Sequence, residues 1–251
     1  MKVLKFRLYG NTAFFKKPDV NSYYYFTYGN IHKVALLGMF GAILGYGGYN
    51  QAKNNKDLNY PEFYSKLKDL KISIKPLNKG GIIPKKIQVF NNSVGYASKE
   101  AGGNLIIKEQ WLENPSWNVY VVLDNDEAVK LSENIINNRS IYIPYLGKND
   151  HFANIDSVEI IENISKVSNV YKIDSLCPKG KVEFDLFSLD DEEDDDIEDE
   201  NLFKYNEMLP IALEEYTNMY ILKELFYSNM KIKSYKNIDV YNINGDNIVF
   251  F

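Results

Sequence analysis

An α+β fold is predicted by three features of this chain: an alternating strand pattern at residues 2–9, helix-patterned segments at 33–46 and 126–137, and strand-patterned runs between and after them. At 251 residues the chain can bury a good core, as one large domain or two small ones. KVLKFRLY (2–9) alternates apolar and polar residues and is expected to be a strand. A connection of roughly 20 residues follows, a length that usually marks function or disorder. Residues 33–46 are expected to be helical, with Gly38, Gly41, Ala42 and Gly45 on one slim face. Glycine costs about 1 kcal/mol per helical position, so this face is expected to let the helix sit close to a sheet.

A short helix is expected over 59–70, with Pro61 near its start. The positive, strand-like stretch that follows is broken by Gly80-Gly81 and Pro84, and with 105–111 it predicts a long basic hairpin over about 72–111. NVYVVL (118–123) is nearly continuously apolar and suits the centre of a sheet. The helix at 126–137 has acids in its first turn, and strands are expected near 157–162 and 168–173. This order fits an elaborated ferredoxin-like or RNA-recognition-type sheet. The expected division is a ferredoxin-like RNA-binding domain at 1–155 and a smaller, β-rich C-terminal region at 156–251. Within the latter, 185–200 is expected to be a solvated, disordered loop, 206–227 a helix, and the last residues strands around an Asn244-Gly245 turn.

The net charge of −5 hides a strong asymmetry. Residues 1–110 carry 17 Lys and Arg against 6 Asp and Glu, whereas 111–251 carry 12 against 28. Ten of those acids lie in one run, 190–200, expected to be a charged linker. Segregation on this scale predicts that one part faces a polyanion. Cys177 is the only cysteine, which excludes a disulfide framework or a Cys-based zinc site within the chain, and its expected role is a buried small hydrophobe. No metal site and no cofactor are predicted, and neither GxxxxGK[ST] nor GxGxxG occurs. The first ten residues lack the apolar core of a signal peptide, and 34–46 is too short to span a bilayer, so a cytoplasmic protein with no membrane contact is expected.

The segment AFFKKPDVNSYYYFTYGNIHKVALLGMFGAILG (13–45) carries the strongest functional signal. Flat side chains stack on unpaired bases, interleaved lysines follow phosphates, and the N-terminus of a helix suits an anion. The candidate RNA contacts are Arg7, Phe14, Lys16, Lys17, Tyr24, Tyr28, His32 and Lys33, with Lys85 and Lys86 on the hairpin and its apolar Ile82, Ile83, Val89 and Phe90 available as a wedge. Two alternatives stand for His32: a hydrogen-bonded residue at the helix start, or a phosphate or base contact. Trp111 and Trp117 are expected in the core or a subunit interface.

Four strings in order, FFKKPDVNSYYYFTYGNIHKVALLGMFGAILG, IQVFNNSVGYASKE, IIKEQWLENPSWNVYVV and IPYLGKNDHFANI, resemble the Cas-five family, RAMP-type subunits of the type I CRISPR surveillance complex (Cascade), and are most similar to the subtype I-B variant. The resemblance covers about residues 1–160, and more weakly the rest. It implies a ferredoxin-like domain with a projecting β-hairpin thumb, a variable C-terminal region, and a non-catalytic subunit that grips the 5′ handle of the guide RNA (crRNA). It also implies contact with the backbone subunit, whose filament it caps, and with the large subunit of the complex, in antiviral defence.

One branch of that family cuts precursor guide RNA without a metal, using a Tyr with an adjacent Lys-His pair. Such a reaction needs a base, an acid and a cation for the phosphorane. The two histidines here, His32 before Lys33 and His151 after Asp150 with Lys148 nearby, depart from that order. No catalytic residue is therefore assigned, and an endoribonuclease is the alternative.

Overall fold

The computed structural model describes residues 1–19, 23–52, 59–91, 93, 95–185 and 202–251. Strand β1 (Val3–Tyr9) buries Leu4, Phe6 and Leu8 on one side, as its alternation requires, and turns Lys5, Arg7 and Tyr9 to the other. A two-residue strand, β2 (Thr12–Ala13), opens the long connection to helix α1 (Lys33–Leu44). His32 caps α1 with its own side chain, and Gly45 ends it in the left-handed region at φ 80°. Residues 141 and 142 satisfy the last carbonyls of α1: Ile141 N–H donates to Ile43 O at 3.0 Å and Tyr142 N–H to Ala42 O at 3.1 Å.

The glycine face of α1 does not meet a sheet. After the short helix α2 (Tyr49–Ala52) comes α3 (Glu62–Leu67), and a Cβ on Gly41 would lie 2.4 Å from Phe63 Cβ of α3. The slim face therefore serves a helix crossing, while the bulky Leu36, Leu37, Phe40 and Ile43 join the core with Leu4, Phe6 and Leu8.

Strand β3 (Ile72–Pro76) is followed by a 3₁₀ turn at Lys79–Gly81, then β4 (Lys85–Asn91) and β5 (Ile106–Glu113), which pair antiparallel from Lys85–Leu112 to Asn91–Ile106. β2 pairs with the far edge of β5. β6 (Ser116–Val122), helix α4 (Asp126–Ile136) and β7 (Asn154–Ile161) follow. Asn125 accepts the Ala128 N–H to cap α4, whose Ala128, Leu131, Ser132 and Ile135 form one buried stripe. The resulting four-stranded sheet runs β3-β6-β1-β7, so the nearly continuous apolar β6 is interior, as expected. β7 crosses the expected 155/156 division and pairs with β1 along its length.

Beyond it, β8 (Lys166–Val167), β9 (Cys177–Pro178) and β10 (Val182–Phe184) are short, and the strand expected at 168–173 is absent, with Asn169 at φ 59°. The acidic run at 190–200, and all of the expected loop at 185–200 but Asp185, lie outside the described residues. The helix expected at 206–227 is instead an antiparallel pair, β11 (Lys204–Leu213) and β12 (Tyr220–Ser228). Pro210 explains the difference. It lacks the N–H that a helix interior needs, at a cost of about 3 kcal/mol, and in the strand it sits at a register shift between Pro210 and Ala212. Tyr216 and Asn218, at positive φ, turn the chain between the two strands.

β13 (Ile232–Tyr235), β14 (Val240–Ile243) and β15 (Asp246–Val249) complete the chain, the last two joined through Asn244 and Gly245 at φ 52° and 92°. The C-terminal strands are built into the first half: Leu209, Leu213, Leu225 and Tyr227 share the main core, and Phe251 exchanges backbone bonds with Ile72. Cys177 is buried against Phe226, Ile232, Val240 and Val249, and burial raises its thiol to about 12.

Candidate nucleic-acid interface

The aromatic-basic connection folds back on itself and onto the hairpin. Lys17 N–H donates to Phe26 O at 2.8 Å and Tyr28 N–H to Phe15 O at 2.9 Å, pairing its two limbs. The second limb runs parallel to β5: Tyr25 N–H donates to Lys108 O at 2.8 Å and Gln110 N–H to Tyr25 O at 2.9 Å. Loop and hairpin are thus one surface. Lys16 Nζ lies 3.8 Å from the centre of the Tyr25 ring, and Lys108 Nζ 5.3 Å from that of Tyr24, which neighbours Phe26 at 6.3 Å. Exposed Val89 and Ile87 of β4 pair with Lys108 and Gln110 and share an uncovered face with Tyr24 and Phe26, whereas Tyr25, opposite Glu109, and Lys16, opposite Thr27, turn to the reverse face of the layer.

The predicted residues divide into three groups. Tyr24 lies on the Val89 face with Lys85 at the adjoining end of β4, and Lys16 lies on the reverse face over Tyr25. Lys85 is exposed, and desolvation together with nearby Lys17 lowers its pKa against the opposing pull of Glu207. Lys17 and Lys86 are near it but ion-paired, Lys17 to Glu207 at 2.9 Å and Lys86 to Glu113 at 3.4 Å. Phe14, Tyr28, His32, Lys33 and Arg7 are turned to other tasks. Phe14 and Tyr28 are buried. Lys33 sends its Nζ to the Phe251 carbonyl at 3.0 Å, and burial lowers its pKa. Arg7 forms a two-pronged pair with Asp156 across β1 and β7, on the sheet.

His32 is 3% exposed and ringed edge-on by Phe15, Tyr28 and Tyr220 at 5.1–5.9 Å. Its Nδ1 accepts the Ala35 N–H at 3.1 Å, and burial pushes its pKa down to about 3. It is the capping residue of α1 and stays uncharged, so it offers no cation to a phosphate. Of the apolar wedge candidates, Ile83 is core, whereas Ile82 and Val89 are more than half exposed.

Glu207 is the organising residue that sequence reasoning missed. It accepts the Gly29 N–H at 2.7 Å and the Tyr205 hydroxyl, and pairs with Lys17, so a C-terminal strand fastens the N-terminal loop. The opposite charges of the two halves were the available signal. Asn30 adds a second tie, accepting the Trp117 indole N–H at 2.9 Å and donating to Gly81 O at 3.0 Å. Lys108 and Tyr25 were also missed, because only the pairing of loop with hairpin sets them together. The second histidine, His151, contacts Thr12 through Nδ1 at 2.6 Å and meets the Trp111 ring edge-on, with Nε2 buried and unpartnered among the described residues. Burial lowers its pKa as well. Beside it, Lys148 bridges Glu109 and Asp150 at 3.3 and 3.2 Å.

Among the described residues no group of three or more His, Cys, Asp or Glu side chains is placed to hold a metal ion, and no helix is long and apolar enough to cross a membrane. No protein-family profile matches the chain, and no curated protein does. Solved structures do. A chain of a CRISPR RNA-guided surveillance complex aligns over 92% of this chain and 90% of its own length, with a TM-score of 0.53 at 12% identity. A CRISPR protein from Archaeoglobus fulgidus aligns over 100% and 98%, with a TM-score of 0.49 at 11% identity. A chain of the type III-B Cmr-beta complex bound to cognate target RNA and AMPPnP aligns over 92% and 86%, with a TM-score of 0.48 at 11% identity. The structural neighbours are CRISPR-associated proteins, and the mixed, mostly stranded fold is shared with the first of these. At this identity the likeness is one of fold.

Proposed function

We propose that this chain is a non-catalytic, RNA-binding subunit of a CRISPR effector complex of the Cascade type, in the manner of the subtype I-B Cas-five proteins, holding the 5′ handle of the guide RNA and capping the backbone filament. The observation that carries the reading is the joint loop–hairpin layer, where Lys108 stands over Tyr24 beside exposed Phe26 and Val89 on one face and Lys16 stands over Tyr25 on the reverse face. Cations on rings, next to further exposed rings, are the combination that a single strand uses for its phosphates and bases. In this reading the β1-α1-β3-β6-α4-β7 core is ferredoxin-like, β4–β5 is the thumb, and Ile82 and Val89 are the apolar residues available to wedge the strand. The exposed Ile141, Ile143 and Phe152, at 64–69% exposure, are the surface offered to the backbone or large subunit.

The non-catalytic assignment is supported by the two imidazoles. Both are buried with lowered pKa, and His32 spends one nitrogen on its helix cap. The test is incubation of the purified chain, without metal, with precursor guide RNA, reading binding by gel shift and cleavage on a denaturing gel. Binding with intact RNA is expected. Specific cutting within the repeat, lost in His151→Ala, would make this the processing nuclease.

A further inference from the structure

Behind the loop, on the outer side of α1, lies a cavity of about 760 Å³, within the roughly 300–1,000 Å³ of ordinary ligand pockets. Its floor is the part of the glycine face that α3 leaves uncovered: a Cβ on Gly38 would find its nearest neighbour, the Phe63 ring, 4.0 Å away. Phe14, Tyr49, Tyr142 and Tyr145 give it aromatic walls, and the three tyrosines are 44–59% exposed. No carboxylate is among the described residues that line it, and Lys16, shared with the reverse face of the loop–hairpin layer, is its one lysine or arginine.

His32 also lines this cavity. Because Nδ1 accepts the Ala35 amide, the proton of the neutral ring sits on Nε2, and that donor has no partner among the described residues. Unlike His151 Nε2, this donor is not sealed from solvent, so it opens on the cavity and is available to a ligand that brings an acceptor. An aliphatic side chain from a protein partner would fill the space but leave Nε2–H unpaired. A nucleobase supplies both a flat π-face for the tyrosines and ring nitrogens or carbonyls that accept. Its phosphate would find Lys16.

Resting on the RNA-binding reading, we propose that this cavity takes one base of the bound strand, turned out of the stack, with His32 Nε2–H donating to its edge. The cavity then reads a position in the RNA, while the loop–hairpin face holds the backbone.

The test uses the full chain and single-stranded RNA carrying the repeat-derived 5′ segment of the guide, with each nucleotide in turn made abasic. In the wild type one position is expected to lose about 5- to 150-fold in affinity, the range for one stacked base. Gly38→Leu fills the floor at a position with room, and is expected to bind intact RNA as weakly as the wild type binds that abasic RNA, with no further loss when the base is removed. His32→Asn keeps a good helix cap while withdrawing Nε2, and is expected to fall between the two. Tyr142→Ala, at an exposed position, repeats the experiment if Gly38→Leu does not fold. Wild-type affinity for intact RNA in Gly38→Leu and Tyr142→Ala, or the absence of a sensitive position, overturns the base site and leaves the RNA-binding reading standing. So would unchanged RNA binding with loss of a protein partner, which would make the occupant a side chain. No binding of any RNA by the wild type would sink both readings together.

Discussion

Two surfaces of this molecule carry well-placed cations, and they hold them differently. On the side of the main sheet opposite the main core, partly covered by β14 and β15, Lys5, Arg7 and Lys75 each meet a carboxylate, of Glu159, Asp156 and Asp246, at 2.5–2.6 Å. On the loop–hairpin layer Lys108 on one face and Lys16 on the other instead stand over tyrosine rings, and neither has an ion-pair partner among the described residues. A ring attracts a cation without neutralising it, so the positive field survives for a polyanion. A carboxylate cancels it. The number of basic residues on a face is therefore a poor guide to a phosphate site, and the chemistry of their neighbours is a better one.

The largest effect on stability is expected from acid, which tests the buried His32 cap behind the two surfaces. The folded His32 pKa of about 3 lies below the ordinary 6.5, so the unfolded chain binds the proton more readily. Its contribution is complete above pH 6.5 and is lost as pH falls from 6.5 toward 3, at about 1.4 kcal/mol per pH unit. Denaturation midpoints of wild type and His32→Asn should therefore converge as the pH is lowered through that window. Parallel curves would mean that the imbalance lies elsewhere, His151 being the other buried imidazole with a lowered pKa.

Next in size is the fastening of the loop. Glu207→Ala strands Gly29 N–H, the Tyr205 hydroxyl and Lys17 together, and is expected to cost roughly 2–4 kcal/mol in a urea titration. A loss below about 0.5 kcal/mol would show that the loop holds without it. The third measurement is the salt dependence of RNA binding. Lys16→Ala with Lys108→Ala should flatten the slope of log K against log salt by about 1.4, some 0.7 for each phosphate contact on a single strand. Lys17→Ala, already neutralised by Glu207, should leave the slope unchanged. The smallest effect is expected on the sheet, where Arg7→Ala should alter neither the slope nor, measurably, the melting temperature. A flattened slope in Arg7→Ala would erase the contrast between the surfaces.

Much of the fold was legible because local pattern and burial agree. The alternation of β1, the apolar run of β6, the stripe and cap of α4 and the Asn244-Gly245 turn all lie where their residues put them. The error at 206–227 came from reading helical spacing through Pro210, whose missing N–H should have outweighed it. In the site, Lys16 and Tyr24 were legible because they are close in sequence to other rings and lysines. Arg7, Phe14, Tyr28 and Lys33 share that neighbourhood in sequence but not in space, since side-chain direction along a strand or helix is set by what it packs on.

The sequence by itself determined most elements of the first half, the aromatic-basic segment and the opposition of charge between the halves, because these depend on residue type and spacing. Tertiary structure alone decided which lysines meet rings and which meet carboxylates, that the glycine face of α1 serves α3 and a cavity, and that Glu207 of β11 fastens a loop 178 residues away. The physical reason is that a cation's partner is settled by strand register and packing, where neighbours come from distant parts of the chain and a shift of one residue turns a side chain to the opposite face.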